Sequence, residues 1–448
     1  MIRRGLILRV AAVLVLAMGA SACSGFKTPR IPFMKSKPKY SNPGQRIPVL
    51  SLNQQMTPSD ALKGIDFALP EPRPLENWPQ ASGPTDQVVD HVQAGQGFQI
   101  EWRRDIGAGE NRRAHITAPP AVVGNRIYVM DGKATVTARD ANTGAEIWKQ
   151  DLEPRKGRDR EGYGGGVAVA NGQVFVTSGY RFVAALDAAN GAVKWKVDTA
   201  TPVHGAPTVA GNLVYAVDVA NELIAYDQNT GAQTWTYQAL EEPARVLSSA
   251  APAISGEVLV SPFASGELVA LRAANGTDLW MDVLSFSSRN NALSEIRDIP
   301  GRPVIYRGLV YAGSHSGVFV ASDLRDGTRR WSLPITTITS PWASGDVVYV
   351  TSQAGEVICI ARESGQIYWI VDLNKGISRK KRAIWSGPVL ASNQLVVVSS
   401  KGDAVALNPK NGSTLKTVKL GGPAFVSPVA ANGRLYVVTE KGALVSIR

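Results

Sequence analysis

Short runs in which apolar or small residues alternate with polar ones recur along most of this chain, and each run ends in the same polar signal. In Ala185-Leu-Asp-Ala-Ala-Asn-Gly-Ala-Val-Lys-Trp195 the alternation before Asp187 is that of a half-buried strand. Asp187 can accept backbone N–H bonds in a tight turn, Gly191 can take the positive φ that closes it, and Trp195 falls in a returning strand. The pattern therefore predicts a hairpin. It repeats as Ala138, Asp140, Gly144, Trp148; as Ala225, Asp227, Gly231, Trp235; and as Ala270, Arg272, Gly276, Trp280. It continues as Ala321, Asp323, Gly327, Trp331, and as Cys359, Ala361, Gly365, Trp369. A last copy, Ala406, Asn408, Gly412, carries Lys416 where the Trp belongs. Successive hairpin Trp residues from Trp148 to Trp369 lie 38 to 51 residues apart, the length of one four-stranded propeller blade.

Two further strands precede each hairpin. The first opens with Pro and small residues, as in Pro207-Thr-Val-Ala-Gly211 and Pro252-Ala-Ile-Ser-Gly256. Pro has no N–H to donate, so it belongs on an edge strand, here the innermost one, strand A. A β-rich run such as Leu213-Val-Tyr-Ala216 gives strand B, and the hairpin supplies C and D. The chain ends, Gly442-Ala-Leu-Val-Ser-Ile-Arg448, match a strand C with no D after it. Phe98-Gln-Ile-Glu-Trp102 reads as a strand D with no A, B or C before it. Joining the two closes the ring without open edges. Counting D positions from residue 102 to 416 gives an all-β, eight-bladed propeller of four-stranded antiparallel blades, over residues 98–448.

The first 22 residues read as a secretory signal: Arg3 and Arg4, an apolar run from Val10 to Met18, then Ala20-Ser21-Ala22 before Cys23. Small residues ending in Cys resemble a bacterial lipobox, which makes Cys23 the expected lipidation site. Ser24, in place of Asp, points to the outer membrane. The only other cysteine, Cys359, fills a small-residue slot of the repeat, so no internal disulfide is expected. Residues 23–97 form a separate extension; between 24 and 95 lie 11 of the 27 prolines. An extended tether is the expectation there, with its later apolar residues, Phe67, Leu75 and Trp78, candidates to lie on the propeller.

Net charge is +11, and three of those charges are signal-peptide arginines. Much of the rest groups at Arg112-Arg113, at Arg155, Lys156, Arg158 and Arg160, and at Arg379-Lys-Lys-Arg382. Each group falls in a loop from strand D of one blade to strand A of the next, and all such loops share one face. A solvated rim, an acidic protein partner and anionic lipid all fit this pattern; a secreted chain argues against nucleic acid. The four histidines, His91, His115, His204 and His315, show no metal-ligand spacing, and no nucleophile or phosphate-loop motif is present. The sequence therefore predicts no enzyme, no metal and no cofactor.

The Ala-x-Asp-x-x-x-Gly-x-x-x-Trp repeat resembles the quinoprotein-type propeller family. One branch oxidises alcohols with a quinone stacked on adjacent cysteines, and this chain has no adjacent cysteines. The other branch, the lipid-anchored BamB family of the outer-membrane β-barrel assembly machinery, is the better resemblance on signal, size and missing catalytic features. That resemblance implies a non-catalytic scaffold on the periplasmic side of the outer membrane. It also implies other machinery subunits as partners, unfolded barrel clients among the candidates, and binding to the POTRA region of BamA through two long D-to-A loops. In this chain those loops are Trp235 to Pro252 and Trp280 to Pro303. The family's Leu-x-Leu-Arg is weakly matched by Ala244-Arg245-Val246-Leu247, and its Asp-x-Asp by Asp298-Ile-Pro300, with one acid lost. The implied contact residues are Arg245, Val246, Leu247, Glu295 and Asp298. A quinone-dependent dehydrogenase and a polysaccharide-binding propeller are the alternatives, with Trp342 and Trp385 the aromatics available to the latter.

Overall fold

In the computed structural model the described residues are 56–448, apart from 82, 87, 112–113, 155–161, 243–245, 247–249 and 286–295. The signal segment, Cys23 and the basic groups at 112–113 and 155–160 lie outside them. Eight four-stranded antiparallel sheets follow one another around a central channel. Blade 1 is built from Ala121–Val123, Arg126–Met130, Thr135–Asp140 and Glu146–Asp151, in the order A, B, C, D. Blades 2 to 7 repeat that order. In blade 8, strands Val429–Ala431, Arg434–Thr439 and Ala443–Ile447 are completed by Ile100–Asp105 from the other end of the chain. Thus the ring closes as the chain ends predict.

The repeat explains itself in the contacts between blades. Each hairpin Trp is the wall on which the next blade's hairpin Gly rests. A Cβ on Gly231, whose φ is +72°, would come within 2.6 Å of Trp195, and one on Gly191 within 2.6 Å of Trp148. Only Gly accepts both the left-handed backbone and the indole face. The indole N–H then reaches over the same turn: Trp148 donates to Ala188 O at 3.1 Å, Trp195 to Gln228 O at 2.9 Å, and Trp331 to Arg362 O at 2.9 Å. Where the turn carries Asp or Asn, its side chain caps backbone amides, as Asp187 does for Ala189 at 2.9 Å and Asn408 for Lys410 at 2.8 Å.

Blade 7 shows why one Trp is missing. The Gly that would rest on it belongs to a C-to-D turn, and blade 8 has none, because its C and D strands come from opposite chain ends. Lys416 occupies the slot and donates to Gln96 O at 2.9 Å and Gly97 O at 3.1 Å, gripping the chain as it enters the closing strand.

The segment before the propeller is built into it. From Trp78 to Gly95 the chain circles the channel mouth once, on the face of the A-to-B and C-to-D turns, and bonds to strand A or its following turn in every blade. Trp78 exchanges two backbone bonds with Val122 of blade 1, at 2.6 and 2.7 Å. Pro79 O accepts from Val169 of blade 2, and the Gln80 carboxamide pairs with the backbone of Val209 of blade 3. Thr85 O accepts from Ile254 of blade 4, and Asp86 O from Ile305 of blade 5. Asp90 O takes the indole N–H of Trp342 at 2.8 Å in blade 6; Val92 bonds Leu390 and Ser392 in blade 7; Gly95 bonds Gly433 in blade 8. Strand A is the inner edge of its blade, and its last amides would otherwise face the channel unpaired. The segment therefore acts as a plug. Trp78 is 2% exposed and stacks on Trp342 at 6.1 Å, Phe67 is buried against Tyr368, and Leu75 packs against the same core. His91 is buried with both ring nitrogens bonded, to Pro70 O and to the amide of Asn393.

Candidate functional site: the loop face of the channel

With the turn face closed by the plug, the D-to-A loops on the opposite face border the open end of the channel. Antiparallel order puts every D-to-A loop there, so residues distant in sequence converge. The two long loops, running from 239 to 252 and from 284 to 303, meet directly: the Val246 N–H donates to the Asp298 carboxylate at 2.9 Å. Asp298 is 3% exposed, so it is not a solvated loop acid; its own carbonyl accepts the His315 amide at 2.8 Å. It lines a small cavity of about 40 Å³ with Asp218, Asn221 and His204. Asp218 is likewise buried and accepts the amides of Ala220 and Glu222, each at 2.9 Å. Of the five residues implied by the resemblance, the structure brings Val246 and Asp298 together. Arg245, Leu247 and Glu295 lie outside the described residues.

Sequence reading did not single out the pit beside this clasp. A cavity of about 290 Å³ opens at the channel mouth between residues of seven inter-blade connections or blade ends, among them Glu110, Tyr163, Val246, Pro300, Ile338, Phe425 and Glu440. Its polar wall is a connected row. Glu110 and Glu440 are joined through backbone and side chains, His115 Nδ1 lies 2.5 Å from Glu110, and the rings of His115, Tyr163 and His204 follow at 4.5 and 5.2 Å. Burial, with the Glu110 carboxyl beside it, pushes Glu440 up to about 8, which favours its protonated form at neutral pH. Burial likewise pushes the Tyr163 phenol up to about 12. The opposite wall is apolar, and Phe425 is 38% exposed at its edge. These residues come from several different blades and connections; no local motif marks them, and only the closed ring assembles them.

Nothing in this row pairs a nucleophile with a base. Cys359 is fully buried, and its thiol is pushed well up by that burial. Among the described residues no group of three or more His, Cys, Asp or Glu side chains is placed to hold a metal ion. Trp342 and Trp385 are each 8% exposed, with ring N–H groups turned to Asp90 O and to Asn374, so neither presents a face to a sugar. The described part of the basic loop, Arg379–Lys381, is an exposed helical turn on this same face.

A family model described as outer membrane protein assembly factor BamB matches residues 85–159, 132–371 and 372–448. The chain belongs to the BamB family. The Yersinia pestis BamB is 26% identical over 352 residues, covering 77% of this chain and 87% of that protein. The crystal structure of BamB from Moraxella catarrhalis superposes with a TM-score of 0.66 at 19% identity, covering 78% of this chain and all of that one. The quinohemoprotein alcohol dehydrogenase of Comamonas testosteroni shares the fold, with a TM-score of 0.64 at 15% identity, covering 83% of this chain and 80% of that one. The family match separates the two branches where the propeller geometry alone does not. Family membership places this chain with the non-catalytic branch, and its relatives bear the name outer membrane protein assembly factor.

Proposed function

We propose that this protein is a non-catalytic assembly factor for β-barrel proteins of the outer membrane, working from the periplasmic side within the assembly machinery. Its docking surface is the D-to-A loop face, and its partner there is the POTRA region of BamA. One observation carries the choice of face: two long D-to-A loops are clasped by Val246 and Asp298, beside an open pit, while the plug occupies the opposite face. Rigidly held loops lose less freedom on binding than free ones. Asp298 then serves by fixing the loop, and the contacts fall to Arg245, Val246, Leu247 and Glu295. Cys23 carries the lipid that holds the protein at the membrane.

Binding of the purified protein to an isolated POTRA fragment tests this reading. Arg245→Glu together with Glu295→Lys is expected to weaken binding at least tenfold, since charge reversal at an interface opposes association. Melting should stay unchanged. Reversal of Lys194 and Glu146, beside the C-to-D turns on the plugged face, is the control and should leave affinity intact. If the control abolished binding and the loop changes did not, the face would be wrong. If the wild type bound no POTRA fragment, the partner would be wrong.

A further inference from the structure

One buried charge is not absorbed by the scaffold role. Strand pairing puts the residue four before the last bridging position of strand A at equivalent places in all blades: Pro119, Gly166, Ala206, Ala251, Arg302, Ser340, Gly387 and Ser427. These positions follow one another from blade to blade around the inner strands. A Cβ on Gly166 would meet Ala206 at 2.7 Å and Ala118 at 2.5 Å, and Ala118 and Ala206 pack together on Ala81 of the plug. The ring adjoins the pit along the chain: the pit's wall includes Pro300, Thr339, Ser386 and Val426, one or two residues earlier in their blades. Seven blades place a small residue or Pro there. Blade 5 places Arg302.

Arg302 is 6% exposed, and its Nε and Nη1 have no hydrogen-bond partner. Among the described residues no carboxylate forms an ion pair with it. The plug's nearest acid by bonding is Asp86, whose carbonyl is held by Ile305 of the same blade; its carboxylate takes the Val88 amide instead. Desolvation lowers the guanidinium to about 10, so it remains a cation at neutral pH. A buried cation without a partner is costly, and it favours any anion that can reach it. Of the charged side chains, guanidinium is the best matched to the flat fork of a carboxylate or the face of a tetrahedral oxyanion.

We propose that Arg302 forms an anion-binding site beside the channel pit, taking the oxyanion group of a small ligand or of a peptide carboxylate. The adjoining pit, about 290 Å³, admits a few residues of extended chain or a small ion, and its mouth is on the loop face. The site is independent of which protein docks there.

The test uses the full mature chain in chloride buffer at constant ionic strength. Calorimetry and thermal unfolding are followed with sodium sulfate, with acetyl-triglycine as the free acid, and with the same peptide as its amide. Sulfate also stabilises proteins generally, so the quantity read is the difference between wild type and Arg302→Met. A saturable heat and a midpoint rise of several degrees, present in wild type and lost in the variant, are expected. Response to sulfate would assign a free ion; response to the free acid alone, and not to its amide, would assign a peptide carboxylate. Equal responses in wild type and variant would overturn the proposal. Should Arg302→Met fail to fold, Arg302→Gln replaces it. Absence of saturable heat from the wild type with either probe overturns the proposal without any variant.

Discussion

Replacing Trp78 by Ala tests whether the plug is part of the folded propeller's own cooperativity or a separable layer on it. The indole is 2% exposed and stacks on Trp342 at 6.1 Å, while the Trp78 backbone bridges Val122 in both directions. Emptying a large aromatic site costs about 3–5 kcal/mol, and the lost ring stacking accounts for about 0.5–1.5 of it. The bridge to Val122 is backbone and survives the substitution in the docked state. The whole loss therefore falls on the equilibrium between docked and released plug. At about 1.4 kcal/mol per factor of ten, release becomes roughly one hundred to a few thousand times more frequent.

Four of the amides that donate into the plug's backbone report that release directly: Val122, Val169, Ile254 and Ile305. Native-state hydrogen exchange resolves local opening from global unfolding. In Trp78→Ala these four amides should accelerate by that factor, while amides bonded between strands B and C keep their protection. Limited proteolysis should cut first within residues 66–95. Two results would refute the reasoning. The four amides could stay within about threefold of wild type, which would mean the indole contributes little. Or every slow amide could accelerate together, which would mean that plug and blades unfold as one.

Three further outcomes follow from the same structure. Trp195→Ala should cost roughly 3–5 kcal/mol and lower the thermal midpoint, because the indole is 9% exposed, supports Gly231 and bonds Gln228 O; an unchanged midpoint would deny it that role. The Glu110–Glu440 pair gives a pH dependence of known sign: Glu440 is raised from 4.5 to about 8, so its contribution to stability is complete below pH 4.5 and is lost as pH rises through about 8. Glu440→Gln should therefore flatten the decline in midpoint between those values, and a variant profile parallel to wild type would contradict the raised Glu440. Cys23→Ser should release the mature protein from membranes, and intact mass of the wild type should show acylation; an unmodified Cys23 would remove the anchor.

The eight blades were readable because each is specified locally. Asp, Gly and Trp at fixed offsets fix a turn, a left-handed residue and an interblade contact, and none of these needs knowledge of the other blades. Even the missing Trp was visible at Lys416, although its reason needed the ring: the turn that Trp would support does not exist where the chain ends meet. The plug was less legible. Its prolines and lack of repeat mark it as a non-blade segment, but its order comes from eight strand edges that only the closed ring presents. The pit was illegible for the same reason, since Glu110, Tyr163, Pro300 and Phe425 come from separate inter-blade connections. Asp298 was picked out in the sequence as a loop acid, yet its burial and its bond to Val246 depend on a neighbouring loop about fifty residues away.

Plug and clasp together give the propeller two unlike ends, although its eight blades are near repeats of one another. On the turn face the chain from Met56 onward runs over blades 6 and 7, with Ser59 bonded to Ile367 O and Asp66 paired with Lys410 at 2.6 Å, before it enters the channel mouth. Backbone groups that could have offered an edge to another chain are satisfied there from within. On the loop face two long connections are held against each other by a buried carboxylate, and the pit beside them is open. The propeller thus has its own N-terminal segment bound at the turn end of the channel and an open pit at the loop end.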